Sequence, residues 1–166
     1  MKKIFLILFF ALVFVNPCGS FEINENEIKI SGWVLKNESV TPLIASANSE
    51  DLGRVIYKTY ERKSPRAAVE IILTEGKGCG SLYVPGNVDN SKKLMPASEY
   101  KILEIDGHSA ILENQSYLPL ALAIRVSDNV VLNIESSSLN QEELISIAKE
   151  ILSLWKNTKS DSFPAR

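Results

Sequence analysis

The sequence predicts an α+β fold: an antiparallel sheet of about six or seven strands with a C-terminal amphipathic helix packed on one face. Two observations carry this. Near the end of the chain, Leu144, Ile147, Ala148, Ile151 and Trp155 recur at helical spacing and form one apolar stripe. Before it, short alternating segments follow one another through turn residues, Asp106-Gly107 and Asp128-Asn129 among them. Short turns join antiparallel strands, whereas parallel pairs need long crossovers. A single amphipathic helix is marginal alone in water, and the strands supply the surface it needs.

In chain order, residues 27–36 read as a first strand through Ile28, Ile30 and Trp33 to Leu35, with Gly32 as a bulge or bend. Residues 37–53 are polar and turn-rich, and a short helix is predicted near 42–47. Residues 54–61 alternate and predict a strand. Ser64-Pro65-Arg66 predicts a turn. Ala67, Val69, Ile71 and Leu73 then share one face of a strand over 67–74. Residues 76–90 hold four glycines and a proline, which predicts a loop, with a short helix at 81–84 inside it.

Beyond the loop the pattern sharpens. Strands over 100–105 and 108–113 flank Asp106-Gly107, a strong hairpin signal. Leu120, Leu122, Ile124 and Val126 predict a strand over 119–127, and residues 130–135 return after Asp128-Asn129. These four strands form a meander. Asn140 stands where a helix cap is needed, and Glu143 three positions later completes a capping box.

The front of the chain predicts its destination. Lys2 and Lys3 precede an apolar run from Ile4 to Val15. As a helix that run measures about 18 Å, short of the roughly 30 Å of a bilayer core. It reads as a secretory signal, giving a leader at 1–20, one domain at 21–156 and a polar tail at 157–166. Two exits remain open. Cleavage after Ser20 satisfies the small-residue rule. Alternatively, Cys18-Gly19-Ser20 marks Cys18 for acylation as an envelope lipoprotein, against which Pro17 stands directly before the cysteine. Either route places the mature protein outside the cytoplasm, periplasmic or secreted.

Composition bounds the partners. The chain has 166 residues, 45% hydrophobic and 23% charged, with a formal net charge of −2 that becomes more acidic without Lys2 and Lys3. A folded domain follows, and basic clusters for nucleic acid or an anionic membrane are missing. Membrane contact is expected only through a lipid anchor on Cys18.

Candidate chemistry is thin. Cys79, in Gly78-Cys79-Gly80-Ser81, is the one cysteine beyond the leader, with Lys77 beside it and His108 the sole histidine. A reactive thiol needs a depressed pKa and a base. The alternative for Cys79 is a small buried residue, and for His108 a solvated turn-edge side chain. One histidine and one such cysteine do not make a zinc site, and Gly76-Lys77-Gly78 lacks the spacing of a phosphate loop. Neither metal nor cofactor is expected. Glu70, Glu104 and Glu113 fall in strands, where a facing pair supports acid–base work. Tyr57 and its neighbours form a binding surface if their sheet face is left open.

A family resemblance covers residues 100–154. The order of Gly107, His108, Ser109 and Ala110 in a hairpin, a strand pair, and then Ser138, Leu139, Glu142, Glu143, Leu144, Ile147 and Ala148 at a helix start resembles a C-terminal domain of unknown function. That domain occurs in secreted and membrane-tethered bacterial proteins. The same stretch is similar to the last strands and helix of the PsbP-like fold. The resemblance implies an extracytoplasmic α+β setting and brings no catalytic residues.

The function expected is therefore an exported, non-enzymatic domain that binds a protein partner or a small apolar ligand, with Tyr57, Cys79 and His108 as candidate contact residues. The alternatives are a Cys18-anchored envelope lipoprotein and an exported enzyme using Cys79 or a carboxylate pair.

Overall fold

The computed structural model describes residues 28–45, 50–77, 79, 99–114 and 118–160. The leader and Cys18, the segment around residues 81–84 and the end of the tail lie outside them. Among the described residues there are seven strands and one helix: β1 (Val34–Ala45), β2 (Glu50–Lys63), β3 (Arg66–Gly76), β4 (Glu99–Ile105), β5 (His108–Asn114), β6 (Leu120–Ser127), β7 (Val130–Ser136) and α1 (Gln141–Ser160). The strands form one antiparallel sheet in the order β1-β2-β3-β7-β6-β5-β4. Two meanders, β1–β3 and β4–β7, thus meet along β3 and β7. The second is the four-strand meander that the turn residues predict.

The turns explain the register. Asp106 and Gly107 both have positive φ, 53° and 83°, the backbone of a two-residue hairpin that twists with its strands. Lys63 pairs with Arg66 around Ser64-Pro65, so the predicted turn there is a tight hairpin end.

The N-terminal part departs from expectation. Residues 28–33 are not a strand; Ile28 and Ile30 are buried, and Gly32, at φ 79°, turns the chain into β1. The predicted short helix near 42–47 is absent: β1 runs through Pro42 to Ala45, paired with β2. Local composition reads as a loop because β1 is an edge strand whose residues 34–42 are all exposed, on both faces. It therefore lacks the alternation that marks a half-buried strand. Lys36 and Pro42 lie on it, and register shifts interrupt its pairing at both ends, features that discourage edge-to-edge pairing.

One face of the sheet carries the core. On β3 the odd positions Ala67, Val69, Ile71 and Leu73 are buried, joined in one cluster by Ile56 and Tyr60 of β2 and by Leu122, Ile124, Leu132 and Ile134. Leu144, Ile147, Ala148, Ile151, Leu152 and Trp155 of α1 belong to that cluster. The predicted stripe is thus the buried one, with Leu152 added. The helix starts as the sequence predicts. Asn140 Oδ1 accepts from the Glu143 amide at 3.0 Å, and Glu143 Oε2 accepts from the Asn140 amide at 3.2 Å. Leu139 and Leu144, both buried, occupy the positions of a hydrophobic staple. The helix continues through Ser160, into the stretch read as tail.

Polar contacts fasten the margins of this face. The Arg62 guanidinium lies 4.9 Å from the centroid of the Trp33 ring and 3.0 Å from Glu143 Oε1. Arg62, with the Asn140 amide, holds the Glu143 carboxyl below the usual range. Lys58, only 4% exposed, pairs its ammonium with Glu38 Oε1 at 2.9 Å. The Ser31 amide donates to Glu150 Oε1 at 2.7 Å, tying the N-terminal segment to α1.

Tyr60 donates its hydroxyl to the Ile28 carbonyl. Burial, with Glu38 nearby, pushes its phenol up to about 12. The folded state thus holds the proton more tightly than the unfolded chain, whose tyrosine titrates near 10. The stability this provides is complete below pH 10 and is lost as pH rises toward 12. Tyr60→Phe is expected to cost about 1–2 kcal/mol at neutral pH, because the Ile28 carbonyl loses its donor. Denaturation midpoints measured against pH check both points: the wild type should weaken between pH 10 and 12 more steeply than the variant.

Candidate functional site

The other face is organised in rows. Strand alternation puts Ala68, Glu70, Ile72 and Thr74 of β3 on the side away from the core. Following the register across the sheet, Ser39, Tyr57, Ile72, Asn133, Ala123, Ile111 and Ile102 lie side by side. Tyr57 and Ile102, near the two ends of this row, are 44% and 49% exposed. Two residues along each strand runs a second row: Asn37, Thr59, Glu70, Glu135, Ala121, Glu113 and Tyr100. An apolar row and an acidic row thus run parallel across the strands.

Glu70 and Glu135 are directly opposed, a like-charged cross-strand pair that costs stability. Burial raises the Glu135 carboxyl above its ordinary range, and Glu70 and Glu113 raise it further. Tyr100 donates its hydroxyl to Glu113 Oε1 at 3.2 Å. Within the first row, the Asn133 Oδ1 atom is buried and has no hydrogen-bond partner among the described residues. The middle of this face is therefore rich in acceptors and short of donors. Such an arrangement can share a proton between two carboxylates or receive a cation.

Beside Glu70 and Glu135 the surface deepens into a groove of about 480 Å³, walled by Arg66, Pro119 and Ser137. Its wall is held where β7 ends. Ser136 Oγ donates to the Ala68 carbonyl at 2.6 Å, and Ser138 Oγ accepts from the Ala68 amide at 3.1 Å. Two hydroxyls thereby continue the ladder that the backbone of β7 has left.

The candidate residues are not gathered at one point. Tyr57 is exposed on the outer face, as a binding role requires. His108 opens β5 and is half-buried. Cys79 is 7% exposed, with its thiol against the Thr74 carbonyl at 3.5 Å. Burial pushes that thiol up, against the lowering effect of nearby backbone hydrogen bonds. A nucleophile needs the opposite shift. Moreover β5 lies three strands from β3, about 14 Å across the sheet, so His108 is not placed as a base for this thiol. Cys79 is accordingly expected to react with a neutral thiol reagent only after denaturant is added; rapid labelling of the native chain would contradict this placement. Glu104 shares the outer face but pairs with Ser109, away from the acidic row.

No protein-family model, curated protein or solved structure matches this chain.

Among the described residues, no three His, Cys, Asp or Glu side chains are grouped to hold a metal ion, and no helix is long and apolar enough to cross a membrane. Sequence reasoning names Glu70 and Glu113 but misses Glu135. Alternation along residues 130–135 gives its face. Its position opposite Glu70 follows from the pairing of β3 with β7, strands about sixty residues apart, which no local pattern specifies.

Proposed function

We propose that this chain is an exported, non-enzymatic binding domain of two layers, with α1 packed on the core face and the outer sheet face left for a partner protein or an apolar ligand. The observation that carries the reading is the row with Tyr57 and Ile102 near its two ends. Large apolar side chains aligned on one face, exposed at both ends, are a feature of contact surfaces. The leader supports export, and the likeness of residues 100–154 to an extracytoplasmic bacterial domain extends the same reading. Cys18 offers an alternative in which the domain is tethered through an acylated cysteine.

Two measurements test this. Photo-crosslinking side chains placed at positions 57 and 102 in the exporting cell should give one shared adduct, and the same group at Glu142, exposed on α1, should not. Adducts equally frequent at all three positions, or none at 57 and 102, would remove the outer face as the contact surface. Mass spectrometry of the mature N-terminus separates a free Phe21 amine from a lipidated Cys18, and an intact leader would defeat the export proposal.

A further inference from the structure

We infer that the partner segment bound on the outer face is cationic and amphipathic, and that it lies across the strands with basic side chains over Glu70, Glu135 and Glu113. This rests on the binding reading above and names the chemistry of its partner.

Charge complementarity points to this partner. The acidic row holds three carboxylates and no base. On the outer face, Arg66 stands four residues along β3 from Glu70, at the end of the strand, and Arg125 is paired with Asp128 at 2.6 Å. Arg62, at the groove, is committed to Glu143 and to the Trp33 ring. Glu70 and Glu135 are paired directly across the strands, and among the described residues no ion pair joins either of them to a cation. A partner bringing positive charge relieves the repulsion along the row; an anionic membrane or a nucleic acid would be repelled.

Geometry selects a segment over a small amine. From Glu70 to Glu113 the row crosses three strand spacings, about 14 Å, beyond the reach of a single ammonium group. From Thr59 to Tyr100 it crosses five, about 24 Å, the length of a helix of about 16 residues. The apolar row lies two residues away along each strand, about 7 Å. A helix with one basic stripe beside one apolar stripe matches both rows together.

The test uses the full chain and three probes: a Leu/Lys amphipathic peptide of about 16 residues, a Leu/Glu peptide of the same pattern, and spermidine. Titration calorimetry at low and at physiological salt reads the affinity. The Leu/Lys peptide should bind, weaken with salt, and bind about ten-fold less tightly to the Glu70→Gln/Glu135→Gln chain. Glu142→Gln, on α1, should leave it unchanged. Four outcomes overturn the inference: equal binding of the Leu/Glu peptide, spermidine binding as tightly as the peptide, no loss in the glutamine variants, or no binding of the Leu/Lys peptide at all. In each, the outer face itself is judged separately, by crosslinking at 57 and 102 and by Tyr57→Ala/Ile102→Ala, so the two proposals fail independently.

Discussion

Gly53→Ala is expected to be among the most damaging single substitutions in this chain, costing about 3 kcal/mol or more. Gly53 has φ 128°, a backbone conformation that side chains rarely adopt. A Cβ there would stand 1.9 Å from the Glu75 carbonyl oxygen and 2.5 Å from the Gly76 Cα, both backbone atoms that cannot swing aside. The cause is the pairing of Gly53 with Gly76, where β1 shifts register against β2 and the β2 and β3 backbones close together. Gly32→Ala makes the control. Gly32 also has positive φ, 79°, but nothing lies within 4 Å of its would-be Cβ. Only the conformational cost remains there, about 1–2 kcal/mol. Equilibrium unfolding in urea compares the two. Equal losses would show that the close approach at Gly53 is relaxed in solution.

Trp155→Ala is the second large effect, expected at about 3–5 kcal/mol. Trp155 is 4% exposed and sits in the main cluster with Ile151 and Leu152. Its indole Nε1 is buried with no hydrogen-bond partner. That orphan donor makes the conservative replacement informative. Trp155→Phe keeps most of the apolar contact and removes an unsatisfied polar group, so it should cost much less than the alanine change. Thermal melts of both variants provide the check; similar losses in the two would mean that Nε1 has a partner in solution.

The elements legible in the sequence are those whose cause is local. The Asn140 cap and the Leu144–Trp155 stripe are set within one helix, and Asp106-Gly107 within one hairpin. The alternation of Ala67, Val69, Ile71 and Leu73 reports a strand half-buried in a sheet. Where the cause is distant, the sequence is silent. β1 owes its conformation to β2, and its exposed residues 34–42 carry no periodic sign of that. Residues 28–33 are held by Tyr60 and Glu150, far along the chain. The acidic row needs six registers at once, so the sequence shows Glu70 and Glu113 as strand carboxylates but neither their common row nor Glu135 between them. Cys79 is a similar case: the sequence allows a glycine-flanked thiol to be either a buried residue or a reactive one, and its burial against the Thr74 carbonyl favours the first.

The seam between β3 and β7 has a kinetic consequence. Within each meander the strands meet across short turns, except where residues 46–49 and 115–119 intervene, so their pairing is local and fast. The seam instead joins partners such as Ile72 and Asn133, and closing so long a loop is entropically slow. Folding should thus proceed as two hairpin arrays that dock late, with the unpaired margins of β3 and β7 bare until they do. During that interval the chain is at its most vulnerable to misassociation with its own kind.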